Sequence, residues 1–175
     1  MNLLYALQTL DQRLFLTVFR GSESRPVRAL ARATSRSADG FLLLLIPLCL
    51  GLLGSEQAGL LVLLLAGGLI VERPLYWLLK NGLRRRRPQD FVPNFTSLIQ
   101  AADKFSFPSG HTSAAFMLAT AMTVAYPATA VVMFPWAACV AVSRIILGVH
   151  YPGDTLAGAL MGSSVVLLVS RQLGL

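Results

Sequence analysis

Apolar residues gather in this chain into five runs, residues 40–55, 57–79, 109–126, 128–148 and 152–170. Crossing a hydrocarbon layer takes about 20 residues at about 1.5 Å of rise each, so each run reads as a membrane helix. The first is short and broken by Pro47, and is expected to extend into Ser37–Gly40 or to tilt. Upstream the pattern changes. Leu3, Leu4, Leu7, Leu10, Leu14 and Phe15 recur at helical spacing, with Gln8, Asp11, Gln12 and Arg13 between them. Charges at mid-bilayer are costly, so this helix is expected in the interface or packed on the bundle. Arg25, Arg28, Arg32 and Arg36 then repeat at helical intervals, which predicts a basic amphipathic helix on lipid headgroups. The expected fold is all-α: an integral membrane helical bundle of five to six transmembrane helices, six if residues 1–20 also cross. Amphipathic N-terminal helices over 1–39 precede a membrane-embedded core over 40–175.

The connections predict topology. Ser55-Glu56-Gln57 and Tyr126-Pro127-Ala128 are tight turns, whereas residues 81–108 form one long, polar, basic connection. Antiparallel spans then place Lys80 to Ser109, Ser143 to His150 and Asp154 at a single membrane face.

Composition narrows the class. Hydrophobic residues make up 55% and charged residues 13% of the chain, and the mean hydropathy is +0.64, which excludes an ordinary soluble domain. The net charge of +7 suits an anionic lipid or substrate. Nucleic acid is not expected, because the basic residues lie between apolar runs without a reading motif. Cys49 and Cys139 lie within apolar runs and read as small core residues, neither a disulfide nor a metal pair. No cleavable signal peptide is expected, since Asp11 and Arg13 interrupt the first residues.

Three segments carry candidate chemistry. Lys80 and Arg87 stand seven residues apart, ahead of Pro88. A helix would put both on one face, although Gly82 and Pro88 allow a loop to serve equally. An ammonium and a guanidinium suit a phosphate dianion; four consecutive arginines also suit a membrane anchor. Pro108-Ser109-Gly110-His111 opens an apolar helix: Ser109 is a natural N-cap, Gly110 admits close approach of an anion, and His111 can protonate a leaving oxygen. Arg144 precedes His150, and Asp154 lies four residues beyond it. On a helix those two side chains meet, so Asp154 can fix the tautomer of His150 and leave its other nitrogen as a nucleophile.

In order and spacing the three segments resemble the signature motifs of the type 2 phosphatidic acid phosphatase family. The resemblance implies His150 as the nucleophile of a phosphohistidine, Asp154 as its partner and His111 as general acid. It implies a phosphate cradle of Lys80, Arg87, Ser109, the Gly110 amide and Arg144. It implies no metal and no cofactor, in keeping with the lack of a carboxylate or cysteine cluster. The expected enzyme is a membrane lipid phosphatase; polyprenyl diphosphates, phosphatidylglycerophosphate and phosphatidic acid are candidate substrates. Arg84, Arg85 and Arg86 exceed the motif, and either favour a diphosphate or anchor the loop. A lipid phosphotransferase using the same phosphohistidine and a non-enzymatic transporter are the alternatives. The expected partners are the lipid phosphate and membrane lipids. The expected location is the plasma membrane with the site on its periplasmic or external face, against a positive-inside count that includes Arg13 and the five arginines from Arg20 to Arg36.

Overall fold

The computed structural model describes residues 3–175, with side chains from Ala6 onward; the side chains of Leu3 and Leu4, part of the expected first apolar stripe, lie outside the described residues. Among these residues there is no strand. The order is α1 (Leu3–Arg20), α2 (Arg25–Ser37), α3 (Leu42–Leu52), α4 (Ala58–Leu83), the single turn α5 (Pro88–Phe91), α6 (Gly110–Ala125), α7 (Ala130–Ile146) and α8 (Pro152–Gln172). A 3-10 turn over Pro127–Thr129 leads into α7.

The chain forms an all-α membrane bundle, with fewer self-sufficient spans than the five to six expected. Three helices are long and apolar enough to cross alone: α4 with its continuation to Phe91, α7 with its leading 3-10 turn, and α8. A fourth arises if α2 and α3, bent by 62° at their junction, count as one broken span. The short run is confined by backbone. Gly40 (φ 99) and Gly54 (φ 75) bracket α3 in left-handed conformation, leaving 11 residues, about 16 Å of helix. α6 has 16 residues and is surrounded by α4, α7 and α8.

Helix α6 is the central post. Leu61 and Leu64 of α4, Met117 and Leu118 of α6, and Val166 of α8 share one buried cluster. Where α8 crosses α6, Gly158 and Gly162 stand a turn apart. A Cβ on Gly158 would lie 2.5 Å from the Ser109 carbonyl oxygen, and one on Gly162 2.1 Å from that of Ser113. Missing side chains let the two backbones touch, a device suited to lipid, where burial between helices brings no hydrophobic gain. The close crossing sets the first turn of α8 against the start of α6, where the Ser109 N–H donates to the Asp154 carbonyl (3.0 Å).

Leu44, Leu48, Ile70, Val131 and Leu160 face outward, the surface a lipid-facing bundle needs. Cys49 and Cys139 lie on this exposed surface as free thiols, not in the core as expected. In a membrane bundle the outward faces are as apolar as the inward ones, so an apolar neighbourhood does not signal burial.

Both N-terminal helices pack on the bundle. Phe15 of α1 is fully buried in an aromatic nest with Phe19, Phe95 and Tyr151, at centroid distances of 5.3–5.9 Å. Ala31 and Ser35 are the buried positions of α2, which lies along α7. The tight turns meet at one end, where the Ser55 and Tyr126 hydroxyls are 2.6 Å apart. At the opposite end Arg87 Nη1 donates to the Val149 carbonyl (2.6 Å), so the 84–109 connection, the start of α6 and the α7–α8 corner gather at one face.

Candidate active site

The α2–α3 junction, α4, the 84–109 connection, α6, α7 and the α7–α8 corner all border a cavity of about 380 Å³ at this face. Arg87, Gly110, His111, Arg144 and His150 all line it, joined by Asp39, Arg73, Tyr76 and Asp103. Five of the eight residues singled out in the sequence thus share one cavity. Lys80 stands at its edge, Asp154 lies behind His150, and Ser109 faces elsewhere.

The helix that carries Lys80 stops before Arg87. Leu83 ends α4, Arg84 turns left-handed (φ 48, ψ 37) and Arg87 is extended. A loop therefore presents the second cation. Lys80 donates to the Tyr76 hydroxyl (2.6 Å) and to Asp103 Oδ2 (2.7 Å), and the Tyr76 hydroxyl donates to the same oxygen (2.7 Å). Arg87 Nη2 donates to Asp103 Oδ1. One carboxylate thus sits across two of the three motif cations. Burial alone would raise the pKa of Asp103, but the hydrogen bonds from Lys80 and Tyr76 outweigh it and bring it to about 2. Its carboxylate is therefore charged at every pH of interest.

Arg144 lies near the end of α7 and is 5% exposed. Nη1 donates to Ser35 Oγ of α2 (2.6 Å), and Nε has no partner among the described residues. A buried guanidinium N–H without an acceptor is costly, and its acceptor is expected from a ligand oxygen.

His150 is 2% exposed, at the corner where Gly148 takes φ 79. Its Nδ1 is 3.6 Å from Asp154 Oδ2, beyond hydrogen-bond range, and has no partner among the described residues. That oxygen accepts the Tyr151 N–H (2.8 Å). Burial pulls the His150 pKa down to about 4; Arg87 and Arg144 push the same way, and Asp154 opposes them without prevailing. The imidazole is neutral near pH 7, so a nitrogen lone pair is available.

His111 opens α6 with Nε2 2.8 Å from Asp39 Oδ1. Ser109 occupies the N-cap position without capping through its side chain. Its hydroxyl accepts from Thr112 (3.0 Å), and the residue is fully buried away from the cavity. A Cβ on Gly110 would meet the Tyr76 ring at 3.2 Å.

The three surplus arginines do not line this cavity. Arg84 Nε folds back on the Asn81 carbonyl (2.9 Å). Arg85 binds Asp11 and Asp154. Arg86 borders a separate apolar groove beside α1. Sequence reasoning also passed over Asp39, Tyr76 and Asp103. Their only local signal is an acid or a phenol in a basic or apolar stretch.

Residues 57–174 match the family model described as PAP2 superfamily, and the chain belongs to that family. A relative, decaprenylphosphoryl-5-phosphoribose phosphatase of Mycobacterium tuberculosis, is 36% identical over 111 residues, which are 61% of this chain and 58% of that protein. This chain therefore matches less than two thirds of the relative's length. The crystal structure of LpxE from Aquifex aeolicus matches 91% of this chain and 93% of its own with a TM-score of 0.78, at 24% identity. A PAP2-type phosphatidylglycerolphosphate phosphatase from Bacillus subtilis matches 97% of this chain and 87% of its own with a TM-score of 0.75, at 22% identity. At these identities the structural likeness is one of fold.

Proposed function

We propose that this chain is a membrane lipid phosphatase that hydrolyses the phosphate of a polyprenyl or other lipid through a phosphohistidine. The observation that carries the reading is the meeting of a buried, neutral imidazole, a second histidine and two motif guanidiniums around one cavity. The named phosphatase relative supports the same class of reaction.

In this reading the phosphoryl oxygens take the place of the Asp103 carboxylate against Lys80 and Arg87, and meet the free Nε–H of Arg144. Fixed cations aimed at the three equatorial oxygens supply most of the stabilisation in phosphoryl transfer. The His150 nitrogen remote from Asp154, Nε2, forms a bond to phosphorus as the bond from phosphorus to the lipid oxygen breaks. His111 gives its proton to that oxygen. Water then attacks phosphorus, the N–P bond breaks, His111 takes a proton from the water, and inorganic phosphate leaves. Asp154 compensates the positive charge of the phosphorylated ring.

The diphosphate preference that the surplus arginines could favour loses its support, because none of Arg84, Arg85 and Arg86 lines the cavity. We place the site on the external face of the plasma membrane. The experiment is phosphate release from a panel of lipid phosphates, first in detergent and then added to sealed right-side-out vesicles. Release by the wild type and none by His150→Ala of equal yield is expected, with activity in the vesicles before permeabilisation. Full release by His150→Ala would overturn the nucleophile, and activity only after permeabilisation would overturn the placement.

A further inference from the structure

Asp154 faces two ways. One oxygen, Oδ2, lies toward His150; the other, Oδ1, accepts Arg85 Nη1 at 2.7 Å. Arg85 Nη2 donates in turn to Asp11 Oδ2 of α1 at 2.6 Å. Asp11 uses its second oxygen to accept the Gly153 N–H in the first turn of α8 (2.8 Å). The Arg85 guanidinium carbon also lies 4.3 Å from the centroid of the Tyr151 ring. Arg85 is thus held on three sides, by Asp11, Asp154 and the aromatic face. The Asp154 carboxylate is fully buried and cannot turn without breaking this set. None of these contacts is local in sequence: 69 residues separate Arg85 from Asp154, and 74 separate it from Asp11.

We propose that Arg85, anchored by Asp11, is a positioning residue for the His150–Asp154 dyad: it fixes the carboxylate and takes part of its charge, so His150 meets phosphorus with a free lone pair. The inference rests on the reading of His150 as nucleophile. A carboxylate bound only to an imidazole stabilises the imidazolium and draws a proton onto the ring. A carboxylate already shared with a permanent guanidinium does so less. Enough attraction remains to favour the cationic ring once the N–P bond has formed. The other charged and titratable groups that share the cavity with His150 are Arg144 from α7, His111 from α6, Arg87 and Asp103 from the 84–109 connection, Arg73 and Tyr76 from α4, and Asp39 from the α2–α3 junction. Lys80 of α4 joins the same cluster through Asp103. Arg85 and Asp11 approach from the opposite side of the carboxylate. A helix expected in the interface or packed on the bundle thereby becomes part of the machinery, because α1 supplies the anchor.

The test is the pH profile of kcat/KM for the full chain in detergent, with dioctanoyl phosphatidic acid as the probe. The probe's own titration is common to all variants, so differences between profiles report the enzyme. Arg85→Gln leaves Asp154 undivided, and the acid limb is expected to move up by roughly one pH unit. Asp11→Asn leaves Arg85 uncompensated and is expected to move the limb the opposite way by less. Arg85→Lys keeps the charge but loses the fork; its limb should stay in place while kcat falls with KM little changed. A merely structural role would lower activity equally at all pH values in all three. If Arg85→Gln does not fold, the direction for Asp11→Asn and the fixed limb for Arg85→Lys decide the matter. An unmoved limb in a folded Arg85→Gln, or a shift of the same sign in both charge variants, overturns the proposal. Release that persists in His150→Ala would instead defeat the nucleophile reading and leave the positioning of Asp154 a separate fact.

Discussion

At the Ser55–Tyr126 end of the bundle two tight turns lie side by side and a single hydroxyl pair joins them. At the other end Lys80, Arg85, Arg87 and Arg144 converge with Asp11, Asp103 and Asp154 between them. Both ends close the same helices, so closure does not require the charges. Replacing buried ion pairs by apolar residues is often neutral or stabilising. A fold that gathers paired charge at one end, while the other carries the exposed Glu56 and Arg171, is therefore organised there for chemistry. The contrast has a measurable form: substitutions at the charged end should change turnover more than stability, and substitutions at the other end the reverse.

After the loss of release expected from His150→Ala, the largest effect is expected from Arg144→Gln. It removes a buried guanidinium whose Nε–H has no partner among the described residues and whose Nη1 is tied to Ser35. Loss of one fixed donor to a developing oxyanion costs about 10²–10³ in rate, and kcat/KM for phosphate release should fall by that order. Ser35→Ala removes the anchor alone and should cost far less. Equal losses in the two variants would mean that Arg144 acts only by holding α2 to α7.

A smaller effect of opposite sign is expected at Asp103. Its carboxylate competes with phosphate for Lys80 and Arg87. Asp103→Asn should therefore lower KM for a lipid phosphate several-fold, on the order of 1 kcal/mol, and strengthen inhibition by inorganic phosphate. Because burial, which raises its pKa, is outweighed by the hydrogen bonds from Lys80 and Tyr76, Asp103 titrates near pH 2. The carboxylate's own charge should accordingly be constant from pH 5 to pH 9, and any change in the competition across that range should follow the ionisation of the phosphate. A raised KM would instead make Asp103 a support for the cations.

The charged end also marks how far the sequence could be read. His111 and His150 were legible because each opens or precedes an apolar helix at a polar boundary, and antiparallel helices bring such boundaries to one face. Of the four arginines, Arg87 was singled out, but the places of the other three were not legible. Arg84 adopts φ 48, which breaks the helical rotation, so seven-residue spacing no longer tells which guanidinium points where. Arg87 reaches the cavity, whereas Arg85 turns to the back of Asp154. Asp39 and Asp11 escaped for another reason: each meets its partner more than 70 residues away, a distance over which periodicity carries no information. The left-handed glycines beside α3 explain the missing full span, since nothing in an apolar run announces the sign of φ at its ends.

The smallest effect belongs to the quiet end. Tyr126→Phe deletes one partner of the 2.6 Å, partly buried hydroxyl contact with Ser55. A single neutral hydrogen bond contributes about 1 kcal/mol net, which should appear as a modestly shorter half-life on heating in detergent. Ser55→Ala should cost about the same, and the double variant little more than either, because both remove one interaction. In all three, kcat and KM should remain at wild-type values, since the turn lies at the far ends of the helices whose other termini carry His111, Arg144 and His150. A loss of turnover without a loss of half-life would show that the helices transmit strain from turn to cavity, and the division of labour between the two ends would fail.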